Sequence, residues 1–432
     1  MKADILDPEP FYEIYFPYES GSCSSGISER TSVAESLKQG LSPEDESIVA
    51  ELSVGIEPFV KFLKDKYLSE YISQGGSKIK FVTGRPGSGK THFLSHLTRE
   101  ARQMGFVCVC FSARTVWLHD FKEIYLEIFE KCDLPGCLES CANEIIKSLG
   151  YEPKEIPPGM TFADYLSSKG EFDPLTKKEI RNQLRNFFLK NPLIDNNFAA
   201  ACSLLAGGIL GHPTLESSAR ELLLGWLGGS GQTRLSDVRR LGLSPSKITK
   251  YNARHMLRSL LALHKLAGKP GILVTIDDME ILAGKNTLDT IRYTKMKRED
   301  AYECIRELID EIDTLRHIMF MFAFDRRLID DEIAGVKSYQ ALWLRVQNEI
   351  MSDMFNPFTD IIDLDSLGKR IYQVEAMVEM SKRLALLMTR MNQAAKPIGN
   401  EKAEELLTGD VYSPVAIPRQ VGMATISSSE GA

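Results

Sequence analysis

Five short apolar runs separated by helical sequence are the main pattern along the chain. Each run is nearly continuous in apolar residues, which is typical of parallel strands buried on both faces. The runs span Ile79 to Thr83, Phe106 to Phe111, Gly271 to Ile276, Ile318 to Phe324 and Asp360 to Leu364. Strands that alternate with helices predict an α/β fold built on a five-stranded parallel sheet.

A long interval of roughly 160 residues separates the second run from the third, whereas a simple crossover between parallel strands is far shorter. Within it, apolar residues recur at helical spacing and show no strand alternation. The periodic segments lie near Phe121 to Lys131, Lys177 to Leu189, Leu215 to Leu227 and Lys250 to Leu266. We therefore predict an all-α insertion over residues 113–268, placed inside a sheet domain formed by residues 51–112 and 269–367.

The two ends of the chain carry weaker patterns. Residues 1–50 are rich in Ser, Glu, Gly and Pro and predict a partly ordered arm. Helical spacing predicts one helix from Ile56 to Ile72 and one amphipathic helix from Gly368 to Met391. The second helix opens a predicted small helical lid over residues 368–409. Prolines and a Ser-rich end predict an extended tail over residues 410–432.

Composition narrows the classes of function. The net charge is −7, from 52 basic and 59 acidic residues, so any contact with nucleic acid must be local. Eight cysteines are too few for a disulfide framework, and the N-terminal sequence lacks the features of a secretory signal. The most apolar run, Phe198 to Leu210, is too short to cross a bilayer. We therefore predict a cytoplasmic protein without a membrane span.

A phosphate-binding motif follows the first apolar run directly. It reads G-x-x-x-x-G-K-T, and a helical sequence stands behind it. Glycines let backbone N–H groups turn towards a phosphate, and the start of the helix adds its positive dipole. Lys90 would reach the β and γ oxygens of ATP, and the Thr91 hydroxyl would bind Mg²⁺. The alternative is a chance Gly-rich turn, which would not require a strand before it and a helix after it. The predicted cofactors are ATP and Mg²⁺, and the predicted binding residues are Gly84, Arg85, Pro86, Gly87, Ser88, Gly89, Lys90, Thr91 and His92.

Acidic residues end the third apolar run. Asp277 is the predicted second ligand of Mg²⁺, Asp278 is the first choice for the general base, and Glu280 is the runner-up. The alternative is a solvated acidic turn at the end of a strand.

The fourth run ends in Asp325, Arg326 and Arg327. We expect Asp325 to face the γ-phosphate, because the strand beside the phosphate strand carries a polar sensor in sheets of this class. The two arginines would stabilise transition-state charge on a neighbouring subunit's nucleotide. Alternatively, they are surface arginines that solvate a loop.

A local basic segment lies within the predicted insertion. Between Thr233 and Pro270 there are nine Lys or Arg residues against one acid, Asp237. The order of predicted elements, a helix, a Gly-containing turn and a second helix, also resembles a helix-turn-helix. Double-stranded DNA is the predicted ligand, and the alternative is a basic face that packs on the sheet or on an acidic protein. The nucleic-acid candidates are Arg234, Arg239, Arg240, Lys247, Lys250 and Arg254.

On these motifs the chain resembles the P-loop ATP-binding proteins of BREX-type phage-defence islands, a branch of the AAA+ and ORC-like ATPases. The resemblance rests on the phosphate loop after KIKFVTG, on residues 225–243 and 251–271, and on ILVTIDDMEIL, and it covers residues 52–367.

The resemblance implies a homo-oligomeric, Mg-dependent ATP hydrolase that drives an assembly on DNA beside helicase-like or methyltransferase partners. The family pattern has Asp-Glu where this chain has Asp277 and Asp278. Because the second acid is shorter, a nucleotide-gated scaffold with negligible turnover is the alternative function. A helicase in its own right is disfavoured, because a single phosphate-loop core is present.

Overall fold

A computed structural model describes residues 27–39, 42–43, 45–284, 291–350, 359–410 and 413–427. The predicted α/β fold is confirmed, since one five-stranded, all-parallel sheet is present and each strand coincides with one of the five apolar runs. The strands are β1 (Ser77–Gly84), β2 (Val107–Ser112), β3 (Ile272–Asp277), β4 (Ile318–Asp325) and β5 (Ile361–Asp363).

The strand order is β2-β3-β4-β1-β5. In this order β4 lies between β1 and β3, and the register pairs Gly84 at the end of β1 with Asp325 at the end of β4. Because all strands are parallel, their carboxyl ends meet at one edge of the sheet. The phosphate motif, the acids after β3 and the polar end of β4 therefore share that edge.

Helices cover both faces of the sheet and both ends of the described chain. The helix predicted over Ile56 to Ile72 is present, and part of it, Leu63–Ile72, has π-type hydrogen bonding, as does Arg185–Leu189 after α8. The α-helices are α1 (Ile27–Lys38), α2 (Glu46–Leu52), α3 (Glu57–Phe62), α4 (Lys90–Gln103), α5 (Phe121–Lys131), α6 (Leu134–Ser148), α7 (Phe162–Lys169), α8 (Pro174–Leu184), α9 (Asn196–Leu210), α10 (Ser217–Leu227), α11 (Leu235–Arg239), α12 (Ala253–Leu266), α13 (Lys295–Glu311), α14 (Arg327–Asp330), α15 (Gln340–Ile350), α16 (Leu364–Ile371), α17 (Val374–Arg390), α18 (Asn400–Gly409) and α19 (Ile417–Ser427).

Residues 113–268, all of which the structure describes, contain helices and no strand. The insertion is nevertheless not a detached domain. Phe320, Phe322 and Val274 on one sheet face belong to the same buried cluster as Ile124 of α5 and Leu257 of α12. The opposite face is covered by α3 and α4 in a second cluster. The insertion therefore supplies part of the hydrophobic cover of one face, together with α13 and α15.

The single helix predicted over Gly368 to Met391 is wrong, because the chain forms two helices, α16 and α17. Gln373 between them is extended, with φ −84° and ψ 170°, and its side-chain amide donates to the carbonyl of Lys369 at 3.0 Å. Tyr372 is buried in the lid cluster. The break thus lets α17 turn away from the sheet and pack against α18 and α19.

The extended tail predicted over 410–432 is also wrong for residues 417–427, which form α19. Pro418 lies in the first turn of this helix, where a missing N–H costs no internal hydrogen bond. Ile417 and Val421 pack into the same cluster as Met377 of α17. In the predicted N-terminal arm, α1 packs on α19, and α2 packs on α4 and α17.

The helix-turn-helix cadence in the insertion does not form that motif. α11 has only 5 residues, and a long loop rather than a short turn leads to α12. Met256, Leu257 and Leu260 bury one side of α12 against the insertion core. A helix held in this way does not present its apolar side to a DNA groove.

Candidate functional site

The loop between β1 and α4 has the conformation that its glycines permit. Gly87 and Gly89 have φ values of +77° and +90°, which favour glycine. A Cβ at Gly87 would lie 2.4 Å from Cβ of Arg419 in α19. Gly89 is the N-cap of α4 and makes no side-chain capping bond. The first-turn N–H groups of α4 are thus not capped by a side chain, as an anion site requires.

Three side chains of the loop have the chemistry of a phosphate cradle. The Lys90 ammonium donates to the carbonyls of Gly84 at 3.0 Å and Arg85 at 3.4 Å, so it lies folded along the loop. The hydroxyl of Ser88 is buried without a hydrogen-bond partner in the described part of the chain. A phosphate oxygen would satisfy both groups. The residues present therefore fit the ATP predicted from the motif.

Thr91 and Asp277 connect the loop to the end of β3. The Thr91 hydroxyl donates to Oδ2 of Asp277 at 2.5 Å. Burial, and next the charge of Asp278, raises the pKa of Asp277 above its ordinary value. A hydroxyl and a buried carboxylate at this separation are oxygen ligands of the kind that Mg²⁺ prefers, and a cation would offset the cost of ionising Asp277.

The two candidate bases share one partner, Arg114, and differ in their other contacts. Asp278 accepts a hydrogen bond from the Ser112 hydroxyl at the end of β2 (2.7 Å) and forms an ion pair with Arg114 (3.4 Å). Its backbone is left-handed, with φ +59°, which is uncommon for a residue with a side chain. Asp278 is therefore held on the β2 side of β3.

Glu280 also pairs with Arg114, through Oε1 at 3.7 Å, but its other carboxylate oxygen contacts β4. Its Oε2 accepts from the backbone N–H of Asp325 at the end of β4 (3.2 Å), and β4 neighbours the phosphate strand. Burial, and next the charge of Asp278, raises the pKa of Glu280 to about 7. The geometry therefore favours the runner-up, Glu280, as the carboxylate nearer the phosphate loop.

The polar end of β4 forms a closed local network. Asp325 is buried and accepts from the backbone N–H of Arg327 and from its guanidinium at 3.1 and 3.2 Å. Arg326 pairs with Asp363 at 2.8 Å, and its N–H donates to the Gly84 carbonyl at 3.4 Å. Arg326 therefore lies beside its own phosphate loop, and both arginines bind carboxylates of their own chain.

Arg85 joins the loop to the C-terminal lid rather than standing open for a ligand. Its backbone N–H and side chain bind Asp365 of α16, and its guanidinium binds Asp410 Oδ2 at 2.9 Å and the Ser413 carbonyl at 2.8 Å. The Ala416 N–H also donates to the Pro86 carbonyl at 3.0 Å. We call these contacts the lid latch.

His92 lies in the first turn of α4, but its ring binds elsewhere. Ser53 Oγ lies 2.8 Å from His92 Nε2 and 2.9 Å from His96 Nδ1, and it donates to the Val49 carbonyl. Burial lowers the pKa of His92 to about 4. The imidazole is thus a neutral contact to the segment after α2, and only the backbone of His92 is placed for a phosphate.

The predicted basic segment divides into two parts. Arg254 is engaged internally, since it pairs with Glu307 at 2.6 Å and stacks on Phe121. The other candidates are exposed on and after α11: Arg234, Arg239, Arg240, Lys247 and Lys250. The structure therefore brings five of the six candidates to the surface and removes one.

Several residues at the site have no signal in the sequence. Ser112 and Arg114 reach Asp278 from β2, and Asp365, Asp410 and Arg419 reach the loop from the C-terminal part of the chain. The one sequence feature that could have indicated Ser112 is its position at the end of a predicted strand beside the acidic one.

Metal sites of other kinds are not seen. Within the described residues, no group of three or more His, Cys, Asp or Glu side chains is arranged to hold a metal ion. Cys132, Cys137 and Cys141, whose spacing resembles zinc ligands, are buried free thiols, and burial raises the pKa of each. No helix within the described ranges is long and apolar enough to span a membrane.

A glycine-rich loop between a buried strand and a helix, with a lysine inside it and a threonine hydroxyl bonded to a carboxylate, is the arrangement of a nucleotide-binding protein. The chain belongs to the family of BREX system ATP-binding proteins BrxC/D, whose pattern it matches over residues 27–415. It is thus an ATP-binding protein of a BREX antiviral defence system, and the resemblance inferred over residues 52–367 is confirmed over a longer span. No curated protein matches the chain.

Proposed function

We propose that this protein is a Mg²⁺-dependent ATPase that drives a DNA-associated BREX complex. The observation that carries the proposal is the 2.5 Å contact between the Thr91 hydroxyl and Asp277. It joins the phosphate loop to the acidic end of β3, which is the pairing of groups that phosphoryl transfer requires around a metal ion.

Different residues of the chain bind the phosphates and the metal ion. Bound Mg²⁺·ATP supplies the electrophilic γ-phosphoryl group and a cation that neutralises its charge. Lys90 would donate to the phosphate oxygens in place of the loop carbonyls, and the Ser88 hydroxyl would donate to a phosphate oxygen as well. Thr91 and Asp277 would hold the metal ion.

Glu280 takes the proton of the attacking water. Arg114 pairs with both acids, so it does not separate them. Glu280 is favoured because Asp278 accepts from Ser112 of β2, whereas Glu280 accepts from the backbone N–H of Asp325 at the end of β4. With its pKa raised to about 7, Glu280 is matched to proton transfer near neutral pH. Asp325 pairs in register with Gly84, the first residue of the phosphate loop, and in this role it positions that loop.

Arg326 and Arg327 act on the nucleotide of their own subunit in this proposal. Arg326 contacts its own phosphate loop, and Arg327 binds Asp325 of its own chain, which supports a role in cis more than the predicted role on a neighbouring subunit. They would exchange their carboxylate partners for transition-state oxygens.

DNA contact is assigned to the exposed basic residues of the insertion. Val238 to Pro270 contains no acidic residue, and the chain as a whole has a charge of −7, so this surface is locally positive. The proposed nucleic acid is double-stranded DNA. The proposed protein partners are helicase-like or methyltransferase components of the same defence system. We further propose that the protein forms a homo-oligomer and is cytoplasmic.

A nucleotide-gated scaffold with negligible turnover is the second candidate function. It is favoured by one observation, the retention of Asp278 by Ser112 and Arg114 on the β2 side of the site. In that case ATP binding would control the lid and recruit partners without hydrolysis.

Calorimetric ATP binding and ATP turnover, each measured with and without duplex DNA, test the proposal. We expect Lys90→Ala to abolish ATP binding, because the loop loses its ammonium while the buried strands are unchanged. Wild-type affinity in a folded Lys90→Ala variant would disprove the site. Tight ATP binding without turnover in the wild type, with or without DNA, would instead support the scaffold.

A further inference from the structure

The loop between α11 and α12, residues 240–252, is held rigidly although it lies at the surface. Leu243 and Ile248 are buried in the insertion core. The indole N–H of Trp226 donates to the Ser246 carbonyl at 2.9 Å. Asn252 closes the end of the loop, since its Oδ1 accepts from the Thr249 N–H at 2.7 Å and its amide donates to the Lys247 carbonyl at 3.0 Å. The loop is therefore pre-organised rather than free to rearrange.

This rigid loop presents one tyrosine outward. Tyr251 is 85% exposed, compared with 45% for Tyr71. The Nζ of Lys250 lies 5.3 Å from the ring centroid. An aromatic ring stabilises the fold mainly when it is buried. Because Tyr251 is exposed, its ring adds little to the stability of the core. A ring placed in this way is available to stack on a ligand.

Exposed lysines lie on the same loop as the ring. Lys247 and Lys250 are exposed on the same loop, and neither forms a salt bridge within the described residues. Arg239 at the end of α11 and Arg240 at the start of the loop are also exposed, and Arg240 pairs with Asp237 at 3.4 Å. An aromatic ring flanked by unpaired cations is the combination that binds single-stranded nucleic acid, in which bases stack on the ring and phosphates meet the cations. Paired bases in a duplex do not offer their faces to such a ring.

We propose that Tyr251, with Lys247 and Lys250, forms a stacking platform for an unpaired nucleobase. The platform rests on the proposed function, because it specifies the DNA that the basic surface recognises. It changes the expected ligand from intact duplex to DNA with unpaired bases, such as a melted segment or a single-stranded end. The loop lies outside the phosphate site, so it binds without ATP.

Fluorescence anisotropy with a labelled oligothymidine and with a labelled duplex of the same length tests the platform. We expect Tyr251→Ala to weaken oligothymidine binding about tenfold, within the range that one lost base-stacking contact costs. Duplex binding should change less than about twofold, because the duplex is held by charge. Tyr251→Phe keeps the ring and should bind the oligothymidine as the wild type does.

Two further measurements separate stacking from charge and from misfolding. Tyr251→Ala should leave the slope of log affinity against log salt unchanged, whereas Lys247→Gln should flatten it by about one unit or slightly less. Tyr71→Ala is the matched control, since it removes another exposed tyrosine that lies away from the loop. The circular dichroism melting curve and the ATP affinity of each variant check the fold.

The outcomes distinguish this inference from the proposed function. Unchanged oligothymidine affinity in Tyr251→Ala, or an equal loss for oligothymidine and duplex, would overturn the platform and leave charge-based DNA binding in place. A wild-type protein that binds neither form of DNA would overturn both, and would favour an acidic protein surface as the partner of the basic loop.

Discussion

The lid latch yields a prediction whose size can be worked from the contacts. Arg85→Ala removes the guanidinium that bridges the phosphate loop, α16 and the segment before α19. Four bonds are lost: to Asp365 Oδ1 at 3.2 Å, to Asp410 Oδ2 at 2.9 Å, to the Asp410 carbonyl at 3.1 Å and to the Ser413 carbonyl at 2.8 Å. Asp365 and Asp410 are then left largely buried, with side-chain exposures of 10% and 16%.

The free energy of lid docking that Arg85→Ala loses depends on how far the Arg85 side chain is buried. Breaking a buried ion pair costs about 3–5 kcal/mol, while exposed pairs contribute about 1 kcal/mol or less. Because 28% of the Arg85 side chain is exposed, water replaces part of what is lost, and we expect about 3 kcal/mol. At about 1.4 kcal/mol per factor of ten, the population with the lid detached rises roughly a hundredfold.

Native-state hydrogen exchange measures this population directly. Amides of α19 should lose protection by roughly a hundredfold in Arg85→Ala, while amides of β4 keep theirs. Arg99→Ala is the control, because it removes an arginine of α4 that pairs with its sequence neighbour Glu100 at the surface. Wild-type protection of α19 in Arg85→Ala would refute the reasoning, since the latch would then contribute nothing to lid docking.

Three other predictions concern the acids and the basic surface. Glu280→Gln should abolish ATP turnover while Asp278→Asn retains most of it; the reverse result would restore Asp278 as the base. Since Glu280 acts only when ionised and its pKa is raised to about 7, kcat/KM should rise as pH increases through about 7 and level off above it; a flat profile from acid to base would count against Glu280. Reversal of the exposed charges should weaken duplex binding and flatten its salt dependence by about one unit per lost contact, with ATP affinity intact; unchanged DNA binding would assign the surface to a protein. The residues to change are Arg239, Arg240, Lys247 and Lys250.

The strands and the phosphate loop could be predicted because each is encoded by neighbouring residues. A strand buried on both faces must be apolar throughout, so β1 and β4 are visible as continuous runs. The phosphate loop is visible because all its groups lie within eight consecutive positions, Gly84 to Thr91. For the same reason, Asp277 could be assigned from its place at the end of an apolar run.

The contacts of Arg85, the choice of base and the C-terminal helix could not be predicted, because they depend on residues far apart in sequence or on ambiguous local signals. Arg85 meets Asp365 and Asp410 across 280 and 325 residues of sequence, and nothing in the motif itself predicts them. The choice between Asp278 and Glu280 depends on Ser112, which only the order of the strands brings close. Pro418 suggested an extended tail, although a proline is compatible with the first turn of a helix.

The shared core of sheet and insertion limits how this protein can vary. Ile124 and Leu257 of the insertion pack in one cluster with Phe320 and Phe322 of β4, so the helical region cannot be excised or exchanged as a module. A graft from a relative would have to bring matching side chains on the facing strands, because an uncovered apolar sheet face invites aggregation. The surface loops of the insertion carry no such restriction. Ligand preference can therefore diverge in those loops, while the helices beneath them must change together with the strands.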